Sequence, residues 1–131
     1  MEDAPRVQWT EGGQPRAARW RSERGALRDF TSARDWDQFH SPKNLAMALS
    51  VEAAELLEVF QWVTEADSRN LAPAAKAAAS EEIADVLLYL ILLSDELGID
   101  PLAAAERKMV ANERKYPVDK ARGTSKKYTE L

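Results

Sequence analysis

Residues 45–63 read LAMALSVEAAELLEVFQWV, and residues 81–93 read EEIADVLLYLILL. These two stretches decide the fold. In the first, Leu45, Leu49, Leu56, Val59 and Val63 recur at three-, four- and seven-residue steps, the spacing of one helix face. The stripe has one gap, which Glu52 fills, and Glu55 follows one turn later on the same side. In the second stretch Ile83, Val86, Leu87 and Leu90 are expected to form the core, with Glu82 and Asp85 beside them. Val86 to Leu93 is apolar on every side, so this helix must be surrounded. A bundle of 131 residues can hardly do that alone, which implies an oligomer.

Signals on either side complete a helical chain. Ser41-Pro42 is a cap followed by a proline at the first helical position, and the helix it opens runs to about Trp62. Residues 64–72 read as a polar loop. Pro73 opens the next helix, which ends at Gly98. Asp100-Pro101 opens the last, and Pro117 stops it after Tyr116. Upstream, a helix is expected from Ser22 to about Phe39. Residues 1–21, with Pro5, Gly12, Gly13 and Pro15, read as a disordered tail. Nothing alternates with period two. The expected architecture is all-α: a four-helix bundle-like subunit assembled into an oligomer, with a tail at 1–21, a helical body at 22–116 and a basic tail at 117–131.

Composition excludes several chemistries. There is no cysteine, so no disulfide framework, thiolate zinc site or thiol nucleophile. His40 is the single histidine, which removes multi-histidine metal sites. The eight-residue apolar run is far short of the roughly 20 that span a membrane. Residues 1–20 lack the apolar core of a signal peptide. With a net charge of −4, generic nucleic-acid binding is not expected. The reading is a cytoplasmic protein with no membrane and no nucleic-acid partner. Charge is nonetheless segregated: residues 1–34 carry +2, residues 35–101 carry −10, and residues 102–131 carry +4.

The paired acids carry the chemistry. Glu52 with Glu55, and Glu82 with Asp85, each stand three residues apart and face inward among Ala, Val, Leu and Ile. Two carboxylates on neighbouring turns repel by about 3 kcal/mol at an effective dielectric near 20. Desolvation adds several kcal/mol per ion. A domain of this size has only about 5–15 kcal/mol of net stability. No basic residue lies within a turn of any of the four, so a cation is needed. An all-oxygen site suits Mg²⁺ or Mn²⁺. Such an ion binds phosphate oxygens and activates water. Lys108, Asn112 and Lys115 share one helix face and could neutralise a polyphosphate. Trp36, Phe39, Trp62 and Tyr89 lie near the acids in sequence, and their rings suit either a nucleobase sandwich or plain core packing. His40 reads as a loop histidine that packs or caps.

These residues resemble the MazG-like all-α nucleoside triphosphate pyrophosphohydrolases, and more narrowly their dCTP pyrophosphatase branch. The ExxE…ExxD signature is Glu52-Ala-Ala-Glu55 and Glu82-Ile-Ala-Asp85. The branch likeness lies in RDWDQFHSPKNLAMAL, VFQW, DVLLYL, KMVANERKYP and SKKYTEL, which together cover about residues 27–131. The resemblance implies hydrolysis of a (deoxy)nucleoside triphosphate, dCTP or a related pyrimidine, to the monophosphate and pyrophosphate. It implies Mg²⁺ on Glu52, Glu55, Glu82 and Asp85, with Glu55, or else Glu52, orienting the water. It implies a base pocket of Trp36, Trp62 and Tyr89 with His40 and Asn44 close by. Lys108 and Asn112 would meet the phosphates, with Lys126 and Tyr128 supplied by a neighbouring subunit of a homotetramer. One departure bears on substrate. The branch places a histidine in the first helix near the base, where this chain has Leu27 or Arg28, and this favours a broader taste for modified or other pyrimidines. Two other readings fit part of the pattern: a silent helical assembly protein, and a phosphoribosyl-ATP pyrophosphohydrolase-like enzyme.

Overall fold

In the computed structural model, which describes residues 16–131, every regular element is helical. Four long helices carry the chain: α1 (Arg16–Ala33), α2 (Pro42–Phe60), α4 (Pro73–Glu96) and α5 (Pro101–Lys115). Two single-turn helices, α3 (Glu65–Ser68) and α6 (Val118–Ala121), interrupt the connections, and short 3₁₀ turns span Asp37–Phe39 and Tyr128–Glu130. The chain divides into two units, Met1–Gly98 and Ile99–Leu131. No helix among the described residues is long and apolar enough to cross a membrane.

The caps form as the sequence predicts. Ser41 Oγ accepts from the Asn44 backbone N–H at 3.2 Å, and Pro42 takes the first helical position. Asp100 Oδ1 accepts from the backbone N–H groups of Leu102 and Ala103 at 3.0 and 3.2 Å. Gly98, just past α4, has φ +64°, a conformation that glycine reaches without a Cβ penalty. The loop at 64–72 is less irregular than expected, because Thr64 Oγ1 accepts from Asp67 N–H at 3.1 Å and starts α3.

The first helix differs from the expectation at both ends. It begins at Arg16, inside the stretch read as tail, whereas residues 1–15 lie outside the described residues. The reason is a face made of Trp20, Arg24, Leu27 and Thr31, on which Trp20 and Thr31 are buried. It ends at Ala33 rather than Phe39 because Asp35 turns to φ +54°. An aspartate tolerates that left-handed conformation better than most residues. The turn is held by Ser32 Oγ donating to Asp37 Oδ2 at 2.8 Å and by Gln38 Nε2 donating to Asp35 at 3.0 Å.

In the first unit α4 packs against both α2 and α1. The core is thin. Trp20, Leu45, Ala79 and Ile91 are its buried apolar residues, and Leu45 is the most enclosed. On α2 the covered stripe is Leu45, Leu49, Glu52, Leu56 and Val59, as read from the sequence, and Val63 just past its end is half-buried too. On α4 the phase is different from the one expected. The covered residues are Ala75, Ala79, Glu82, Asp85, Val86 and Tyr89, while Ile83, Leu87 and Leu90 are exposed. Glu82 and Asp85 face the neighbouring helices, and Ile83, Leu87 and Leu90 face out. In the second unit Tyr128 folds back on the end of α5, edge-on to Tyr116 at 6.0 Å between ring centres and 4.8 Å from Lys115 Nζ.

Candidate metal centre and base cavity

The pairing of α2 with α4 brings the acids together. One carboxylate oxygen from each of Glu52, Glu82 and Asp85 lies within 4.8 Å of the others. All three side chains are half-buried. Glu52 Oε2 and Glu82 Oε2 are buried with no hydrogen-bond partner. Burial pushes the Glu52 carboxyl above its ordinary value, and the adjoining Glu55, Asp85 and Glu82 push it further. Glu82 is raised for the same first reason, then by the charges of Glu55 and Asp85. Glu55 thus lies near enough to act on both, but it is exposed and outside the trio. Orphaned buried oxygens on converging carboxylates fit a bound divalent cation, since an all-oxygen donor set is what hard cations take.

Beside the acids is a cavity of about 180 Å³. Leu27, Phe30 and Thr31 of α1 form one wall, and Asp85, Leu88, Tyr89 and Leu92 of α4 form the other. Trp36 and His40, from the turn after α1, close one side. Trp36 meets Phe30 edge-on at 5.7 Å and His40 at 6.5 Å. His40 Nδ1 is buried without a partner. Asp85 belongs both to the acid trio and to the cavity wall.

The structure places Trp36, His40 and Tyr89 in the wall of one cavity with Asp85, and leaves two of the other expected pocket residues elsewhere. Asn44 is not in the cavity wall: its Nδ2 donates to the Phe39 carbonyl at 2.9 Å and ties the 3₁₀ turn to α2. Trp62 lies just past α2, is 88% exposed and is not part of the cavity wall. Lys108, Asn112, Lys126 and Tyr128 belong to the second unit. There Lys108 and Lys126 are exposed, and the Asn112 carbonyl accepts from Tyr116 N–H at 2.8 Å. The sequence reading missed Leu27, Phe30, Thr31, Leu88 and Leu92 as wall residues. The spacing of Leu27, Phe30 and Thr31 on one helix face was the available signal.

Fold and site define a class: an all-helical protein with a carboxylate cluster opening beside an aromatic cavity. Within that class the chain belongs to the MazG-like family, whose pattern matches residues 47–131. It is 45% identical over 105 residues to dCTP pyrophosphatase 1 of Homo sapiens, and 44% identical over the same length to that of Rattus norvegicus. These alignments take in 79% of this chain, which spans 62% of the length of either relative. A pyrophosphatase structure from Archaeoglobus fulgidus superposes with a TM-score of 0.70 at 41% identity, covering 82% of this chain and 98% of that one.

Proposed function

We propose that this protein hydrolyses a deoxynucleoside triphosphate, dCTP or a related pyrimidine, to the monophosphate and pyrophosphate. The observation that carries this reading is the double membership of Asp85. A base held in the cavity has its phosphates directed to the acids one wall away. The cavity's size supports a single ring, because a cavity of roughly 150 Å³ holds benzene. The relatives' names point the same way.

Glu52, Glu82 and Asp85, with Glu55 at the edge, would hold Mg²⁺, or Mn²⁺ in its place. Such an ion, when bound, neutralises triphosphate oxygens and acidifies water. Trp36 and Tyr89 stack on or flank the base, and His40 offers its unpartnered Nδ1 to the base edge. The apolar wall of Leu27, Phe30, Leu88 and Leu92 keeps water off the ring. Glu55, exposed beside the trio, orients the attacking water and takes its proton, and attack falls on the α-phosphorus. The phosphate contacts would be Lys108 and Asn112, with Lys126 and Tyr128 supplied by a neighbouring subunit, a reading that the basic charge of residues 102–131 supports. Exposed Ile83, Leu87 and Leu90 on α4, with Met47 and Val51 on α2, support a homo-oligomer, which we take to be a tetramer. Trp62 is then free to serve a neighbouring copy. The protein would act in the cytoplasm to cleanse the nucleotide pool, without nucleic-acid or membrane partners.

Incubation with dCTP and Mg²⁺ should release pyrophosphate, and Asp85→Asn should abolish the release. A panel of dCTP, dUTP, dTTP and purine triphosphates sets the base preference. A wild-type protein that releases no pyrophosphate from any of them overturns the proposal.

A further inference from the structure

Arg28 and Asp95 are 67 residues apart and join α1 to α4. Arg28 Nε donates to Asp95 Oδ2 at 2.6 Å, and Nη2 donates to Asp95 Oδ1 in parallel. Two parallel bonds from a rigid guanidinium fix an angle as well as a distance. The Asp95 side chain keeps 15% of its surface in water and that of Arg28 keeps 54%, so the contact is shielded on the aspartate side only. Among the described residues, no other side-chain hydrogen bond ties these two helices.

The pair joins the two helices that carry the cavity's walls. Arg28 is adjacent to Leu27 and within a turn of Phe30 and Thr31. Asp95 is one turn past Leu92. Thr31 Oγ1 donates to the Arg28 carbonyl at 3.1 Å, so the α1 wall keeps its one hydroxyl engaged within its own helix. Leu27 and Phe30 make the rest of that wall apolar, so shape is the main thing it offers a ring. At about 180 Å³ the space is matched to one ring, so a fused second ring would press on α1 and α4.

We propose that the Arg28–Asp95 pair is a positioning device that sets the separation of α1 and α4, and so restricts the cavity to single-ring bases. This rests on the reading of the cavity as a base pocket and adds the element that makes it selective. Neither residue lines the cavity or belongs to the acid trio. Their loss should relax selectivity and leave the chemical step in place.

The test is the binding of dCMP and dAMP to the full chain by titration calorimetry, in the wild type, Arg28→Ala and Asp95→Asn, with melting temperatures measured alongside. The wild type should prefer dCMP. Each variant should narrow that preference by about tenfold, through weaker dCMP binding and equal or stronger dAMP binding. Arg28→Lys, which keeps the charge but loses the second prong, should fall between. A general loss of stability weakens both ligands together, so an unchanged ratio in both variants overturns the proposal. Binding of neither nucleotide by the wild type, or a preference for dAMP, also overturns it. A wild type that binds dCMP selectively yet hydrolyses no triphosphate refutes the proposed activity, while the ratio still decides the role of the pair.

Discussion

Replacing Glu52 with glutamine keeps the side chain's size and deletes one charge from the acid trio. Its ligand oxygen lies within 4.8 Å of one from Asp85. At that separation and an effective dielectric near 20, two unit charges repel by about 3 kcal/mol. Both side chains are half in water, and screening reduces this to about 1 kcal/mol. For a chain of this length about 1 kcal/mol corresponds to roughly 3–5 °C in melting temperature. In chelator at neutral pH, Glu52→Gln should therefore melt higher than the wild type by about that amount. Added Mg²⁺ should raise the wild type, because an ion that binds only the folded state stabilises it, and should leave the variant nearly unmoved. The pH dependence has a definite sign. Burial first, and Glu55 next, lift the Glu52 carboxyl above its ordinary 4.5. The fold thus favours the protonated form. That stabilisation is fully present below pH 4.5 and is lost as pH rises through the raised value. The gap between variant and wild type should accordingly be small near pH 4 and open as pH climbs. Differential scanning fluorimetry across that range, with chelator and with Mg²⁺, reads all three effects. A variant that melts below the wild type in chelator at neutral pH, or that keeps the full Mg²⁺ shift, would refute the reasoning.

Trp36→Ala should raise KM for dCTP by about tenfold or more and change kcat little, since stacking on a base is worth about 1–3 kcal/mol; steady-state kinetics check this. Leu45→Ala empties the most enclosed position of the core and should cost about 3 kcal/mol, seen as a lower urea midpoint at unchanged slope. Leu87→Glu with Leu90→Glu places charge on the outward face of α4 and should lower the mass found by light scattering, whereas a wild type that is already monomeric would dispose of the oligomer.

The sequence was legible where polarity contrasts along a helix. On α2 the single acid within the stripe of Leu45, Leu49, Leu56 and Val59 set the phase, and Glu52 is covered as that phase requires. On α4 the contrast fails, because Val86 to Leu93 is apolar all round and no face stands out. There hydrophobicity pointed to Ile83, Leu87 and Leu90, which are the exposed residues, and the informative signal was the row of Ala79, Glu82 and Tyr89. The end of α1 was hidden for another reason: Asp35 adopts φ +54° with no glycine to announce it. The Arg28–Asp95 contact could not be read at all, since a pair 67 residues apart leaves no local pattern. The aromatic cavity was partly legible. Trp36 and Tyr89 line it, but Trp62, grouped with them by helix spacing, points into solvent.

Asp85 serves charge and shape at once, and this divides the tunable from the untunable parts of the molecule. A substitution at Asp85 would disturb the acid trio along with the cavity wall, so drift there is self-limiting. Leu27, Phe30 and Thr31 on α1 contribute no member of the acid trio. If the proposed activity holds, a lineage altering which nucleotide it consumes would have that helix as its open route, with the three acids left intact behind it.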